Sequence, residues 1–314
     1  MGNRFSPLRA AINARRKMRA LHAEWESRRK IRASSKILIT PFSPFQLSDH
    51  YLSDEIDTLG LYWLNSRSKK LSRNNSLPRS RSVIYCQVDQ LEEFAAIYLP
   101  NIKNSFVLLT GKWGLPSLAE SPTNFKILEN PFLIRWFSQN QVFPDLGVAP
   151  FPYGVEIRSS VAVLREMKRR QRAPKSSRML VPFVSVHKHL GGEARMSREM
   201  ISPHMRPKKP HSEYLSEIRN HRYVLSLAGD RPDTYRHWEC LSLGAFPVSN
   251  LEAELHSLFG DNMIFRGRAD LLSPENFSNS KSEPSREIAT VKYWKNKILQ
   301  EFKRQKKSSP KRLR

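Results

Sequence analysis

The sequence predicts an α/β fold built on parallel strands, and two stretches carry that prediction. Residues 83–88, 89–98 and 106–110 read as strand, helix and strand in succession, the alternation that builds a parallel sheet. Residues 221–250 repeat the pattern. An apolar run at 223–228 ends in Gly229, a helix over 235–243 can be capped by Asp233 or Thr234 and closed by Gly244, and a second apolar run follows at 245–248. In such sheets ligands sit outside the carboxyl ends of the strands.

The elements follow in order. Residues 1–35 form a basic arm of helical character, with Leu8, Ile12, Leu21 and Trp25 scattered among arginines and lysines. Residues 36–40 are a first strand, 41–54 a loop and 55–64 a helix, and the Ser-, Arg- and Asn-rich residues 66–82 read as a mobile connection. After the first strand-helix-strand unit, the apolar residues 132–137 bring Trp136 and Asn140 to the end of a first domain. Residues 144–154, with three prolines and two glycines, make a turn between domains. The basic run 165–178 reads as an exposed connection. A strand over 179–186 is interrupted by Pro182, which places it near an edge. Loops at 191–198 and 203–210 and a helix at 212–220 lead into the 221–250 unit. A helix at 251–259 and a strand at 263–265 extend that second domain. Residues 273–285 are a linker, and Ile288, Val291, Trp294, Ile298 and Phe302 mark the buried stripe of a last helix over 286–307.

At 314 residues the chain is long enough for two domains, while 39% hydrophobic residues implies solvated tails. The net charge is +24: residues 1–33 carry +8 and residues 286–314 carry +9, leaving +7 for everything between. Basic ends of this kind suit an anionic membrane surface or a polyanion. Two cysteines, Cys86 and Cys240, argue against a disulfide framework, and zinc-ligand spacings are missing. His187 and His189 could offer two ligands from one side of a strand, too few for a metal site alone. No stretch approaches the roughly 18 apolar residues of a membrane-spanning helix, and no secretory signal is visible, so a cytoplasmic location is expected.

The chemistry concentrates on the helix at 235–243. Arg236 and Glu239 stand three residues apart and share a face near the positive end of the helix dipole. That arrangement suits either a surface ion pair or a nucleotide diphosphate, with the guanidinium on phosphate oxygens and the carboxylate on ribose hydroxyls. Trp238 belongs in the core between helix and sheet.

Leu225, Gly229, Asp230, Pro232, Arg236, Trp238, Glu239, Leu243, Gly244, Pro247 and Val248 together resemble the donor-binding segment of exostosin-like glycosyltransferases. The apolar strand at 106–111, the Trp-Phe-Ser-Gln-Asn run at 136–140 and the Pro-Phe-Pro-Tyr-Gly run at 150–154 resemble the same family's amino-terminal half. Leu227, Arg231, Lys112 and Trp113 depart from its pattern. The resemblance implies a GT-B-like architecture of two Rossmann-like domains with a cleft between them. The acceptor domain would span 36–160, a basic connection 161–178, the nucleotide-sugar domain 179–272, and a linker, helix and basic tail 273–314. It implies a glycosyltransferase moving a sugar from a nucleoside-diphosphate sugar to a glycan, lipid or protein acceptor, with no cofactor and no metal. Arg236 would neutralise the leaving diphosphate and Glu239 would hold the ribose. Gly229, Asp233, Thr234, Asn140 and Gly154 would line the substrate site. Arg231 either adds a phosphate contact or fills the donor pocket of a degenerate relative. The alternative is a catalytically degenerate scaffold that binds nucleic acid or another polyanion through its basic termini.

Overall fold

The computed structural model describes residues 22–72, 78, 80–111, 121–139, 147–170, 173–184, 192–229, 232–273 and 282–308. Six parallel strands form the larger sheet: β1 (His50–Leu52), β2 (Lys69–Lys70), β3 (Ser82–Gln87), β4 (Phe106–Gly111), β5 (Leu133–Gln139) and β6 (Ala149–Phe151), ordered β2-β1-β3-β4-β5-β6. β3 and β4 are buried along their whole length, which explains why their sequences are apolar without alternation. Trp136 of β5 is buried and its Nε1 donates to Thr110 Oγ1 of β4 at 2.9 Å, satisfying the one polar group of the indole.

The smaller sheet has three parallel strands, β7 (Tyr223–Leu225), β8 (Phe246–Ser249) and β9 (Ile264–Phe265). One buried cluster joins the two sheets, running from Val107, Leu109 and Phe137 to Val224, Trp238 and Leu241. The chain is thus a mixed α/β protein with a six-stranded parallel sheet, compatible with a Rossmann-like fold.

Several expectations are corrected. Residues 36–40 are not a strand. Leu38 makes a single antiparallel bridge to Thr290, and Ile39 is held by bonds to Ala289 and Val155, so this apolar run is a buried stitch between distant segments. The first strand instead lies in the expected loop, at β1, which carries only three residues and too little pattern to read. The helix expected over 55–64 is split by Gly60, whose φ of 58° breaks Asp54–Thr58 from the 3₁₀ turn Leu61–Leu64. Of the strand expected over 179–186, the described residues 179–184 are not a regular strand either. Ser176 and Leu180 form isolated parallel bridges to His221 and Val224, and pairing lapses at Pro182, on the outer edge of β7.

The polar loop expected at 191–198 is a helix, Gly192–Ile201, with Ser197 and Ile201 fully buried and Arg195 paired with Glu199 one turn on. Within the basic connection Lys175 is not exposed. Its Nζ donates to the carbonyls of Leu243 and Gly244 and pairs with Glu283 at 3.3 Å, placing a cation on the orphan carbonyls that end the helix Tyr235–Ser242. The last helix is interrupted as well. A 3₁₀ turn, Arg286–Ala289, is followed by extended Thr290 and then Val291–Ser308. Its expected stripe does pack inward: Trp294 meets Phe151 in a tilted contact with ring centres 5.1 Å apart, its Nε1 donates to Ile288 O at 2.7 Å, and Ile298 is buried as well. Among the described residues no helix is long and apolar enough to cross a membrane.

Candidate functional site

The helix Tyr235–Ser242 begins where Thr234 is extended, with φ −91° and ψ 163°. Thr234 N–H donates to His237 Nδ1 at 2.9 Å. A backbone amide can only donate, so this nitrogen accepts and the proton sits on Nε2, which donates to Ser249 Oγ of β8 at 2.8 Å. Burial pushes the His237 pKa down to about 3, since a cation there would leave water and lose its amide partner. Thr234 therefore begins the helix, one of the two capping residues the sequence offered.

Asp233 does something else. It is fully buried, and its Oδ2 accepts from Tyr153 N–H at 2.7 Å and from Trp238 Nε1–H at 2.8 Å. One carboxylate oxygen thus ties the segment after β6 to the helix. Trp238 in turn stacks on Phe259 with ring centres 4.9 Å apart. Gly154 serves the same joint. Its φ is +82°, and a Cβ there would stand 2.3 Å from the carbonyl oxygen of Ile39, so only glycine allows the chain this close. Asp233 and Gly154, both expected to line the substrate site, stand in this buried joint.

The other face of the helix opens on a cavity of about 360 Å³ beyond the carboxyl end of β7. Arg236 Nε donates to Tyr214 Oη at 2.9 Å, its Nη2 donates to Phe183 O at 2.8 Å, and the guanidinium lies 5.5 Å from the Tyr214 ring centre. Tyr214 Oη donates in turn to Glu239 Oε2 at 3.0 Å, and Glu239 Oε1 meets His211 Nε2 at 3.3 Å. Arg236 and Glu239 are therefore linked through a tyrosine from the preceding helix, His211–Arg219. The hydrogen bond to Glu239 raises the His211 pKa against an opposing effect of burial, and burial pushes the Tyr214 phenol well up.

Five cations reach the cavity, Arg198, Arg206, Lys208, Lys209 and Arg236, against two carboxylates, Glu217 and Glu239. Glu217 pairs with Arg206 and Lys209 at 3.0 and 2.7 Å, tying the segment that carries them to the helix His211–Arg219 beside the cavity. The excess of positive charge suits a ligand with more than one negative charge. Among the described residues no cluster of three or more His, Cys, Asp or Glu is placed to hold a metal ion.

Of the residues singled out in the sequence, Arg236, Glu239 and Thr234 meet at this cavity, and Gly229 lies partly buried in the segment leaving β7. Asn140, Arg231, Asp230, Lys112, Trp113, His187 and His189 lie outside the described residues. Tyr214 and His211 escaped sequence reasoning. Their spacing of three on an amphipathic helix was the available signal, since it puts both on one face, but nothing local tells which partner that face meets. A scan against protein-family models and a search of curated proteins found no match to this chain.

Proposed function

We propose that the protein is a glycosyltransferase that takes its sugar from a nucleoside-diphosphate sugar, with cationic side chains rather than a metal neutralising the diphosphate. The observation that carries this reading is the basic cavity at the end of β7, on which Arg236 and Glu239 of one helix face converge. The two sheets would belong to two Rossmann-like domains in a GT-B-like arrangement, residues 36–160 on the acceptor side and 179–272 on the donor side.

Each residue then has a role its chemistry supports. Arg236 is held at Nε and Nη2, so its guanidinium is oriented before any ligand arrives, and preorganised cations stabilise the charge that grows on a departing diphosphate. Arg198 and Lys208 add to the same field. Glu239 accepts hydrogen bonds, which is what two ribose hydroxyls require; His211 and Tyr214 hold that carboxylate in place. A cavity of about 360 Å³ falls in the range of small-ligand sites, roughly 300–1,000 Å³.

Uridine and guanosine diphosphate, added to the whole protein, are expected to raise its melting temperature. Arg236→Ala should weaken nucleotide affinity about 30-fold, the equivalent of about 2 kcal/mol for a charge-assisted contact, and Glu239→Gln by less. A wild-type protein indifferent to every nucleoside diphosphate would sink the proposal and leave a degenerate scaffold that binds polyanions.

A further inference from the structure

The helix Val291–Ser308 has two unlike faces. Trp294 and Ile298 are buried, with Val291 and Phe302 half-buried beside them. At about 100° per residue, Lys292, Asn296, Leu299 and Lys303 follow one another down a side turned away from that stripe, with Lys295 on its flank, and all five are exposed. Over residues 292–304 the one acid is Glu301, which stands beside the buried stripe and pairs with Arg304 at 3.2 Å. The side at Lys292, Leu299 and Lys303 therefore carries only positive charge.

This ridge is continuous with a second feature. Tyr293, Asn296, Lys297 and Gln300 face Lys36 and Ile37 across a groove of about 820 Å³, which Glu287 and Glu301 also line against Lys36, Lys292, Lys297 and Arg304. Three apolar side chains stand out among the lysines: Leu299 at 45% exposure, Ile37 at 41% and Tyr293 at 36%.

We infer that the side carrying Lys292, Leu299 and Lys303 docks on an anionic lipid bilayer, with the lysines at headgroup phosphates and Leu299 entering the boundary with the acyl chains. The charge is complementary to such a surface. Five of the six cations here are lysines (Lys36, Lys292, Lys295, Lys297 and Lys303) and one is Arg304. Lysine suits headgroups because its long stem lies along apolar surface while its charge stays in water. A phosphate polymer is better gripped by bidentate guanidinium groups, and it offers no partner to Leu299. The chain adds Lys311, Arg312 and Arg314 beyond the helix, on the same side of the charge balance. The inference stands apart from the proposed transferase, since none of these residues lines the cavity beside Arg236.

Sedimentation of the whole protein with lipid vesicles tests it. Binding is expected to phosphatidylserine-rich vesicles and not to phosphatidylcholine alone. The triple variant Lys292→Gln, Lys295→Gln, Lys303→Gln should lower partitioning about a hundredfold, with melting temperature unchanged because all three side chains are exposed. Leu299→Asn should weaken the binding that survives high salt, a readout that a purely electrostatic tail would not move. Undiminished binding by the triple variant overturns the inference. So does complete loss of binding on deleting residues 309–314 alone, or an oligouridylate that displaces the vesicles while Leu299→Asn has no effect.

Discussion

The two faces of the helix Tyr235–Ser242 do opposite work with residues that are neighbours in sequence. On the inner face Asp233, His237 and Trp238 are completely buried, and each polar atom quoted above is matched to a partner fixed by the fold. On the outer face Arg236 and Glu239 hold each other through Tyr214 and look into a cavity with surplus positive charge. Charge and polarity alone do not separate them; Asp233 looks as functional in sequence as Glu239. What separates them is that Arg236 and Glu239 line a cavity a ligand can enter, whereas Asp233, His237 and Trp238 are enclosed by the protein.

The sharpest way to break the contrast is on the inner face. Trp238→Ala should destabilise the protein by about 3–5 kcal/mol, since it removes a fully buried indole stacked on Phe259 and leaves a cavity; urea unfolding measures it. Asp233→Ala comes next, at about 2–4 kcal/mol, because it strands the buried N–H groups of Tyr153 and Trp238. In a Trp238→Phe background, where one of those donors is already gone, the same change should cost less. An equal cost in both backgrounds would show that the Asp233–Trp238 bond is not what holds the joint.

The smallest effect separates the two histidines by pH. His237 has a folded pKa of about 3, below its ordinary 6.5, so the unfolded chain takes up the proton first. Its contribution to stability is complete above about pH 6.5 and is lost as pH falls toward 3, by about 2 kcal/mol at pH 5. His211 runs the other way. Its pKa is raised by Glu239, so its contribution is present below the ordinary value and fades as pH rises through the raised one; its half exposure keeps that term small. Unfolding midpoints taken across this range should therefore fall with acid, and His237→Gln should flatten the fall.

Much of the core was legible. β3, β4, β7 and β8 are short apolar runs between turn residues, and they emerge within a few residues of their expected bounds. The helix of the site begins and ends at Thr234 and near Gly244 as its capping pattern indicates, and Trp238 is buried as its place opposite Arg236 and Glu239 suggests. β9 falls within the strand expected at 263–265, whereas β1 and β2, of three and two residues, carry too little periodicity to be read, and the helix Gly192–Ile201 was hidden by its glycine and its charges.

By itself the sequence determined the local alternation of strand and helix, the direction each side chain of the site helix would take, and the concentration of basic charge at the ends. Only the tertiary structure decided what those side chains meet. Asp233 finds Tyr153 eighty residues away, Lys175 finds the carbonyls that end the site helix, and Leu38 finds Thr290 across nearly the whole chain. Tyr214 joins Arg236 to Glu239 from a separate helix. Periodicity and capping act over one or two turns, whereas the partner of a buried polar group is chosen by the packing of whole segments, which no local pattern encodes.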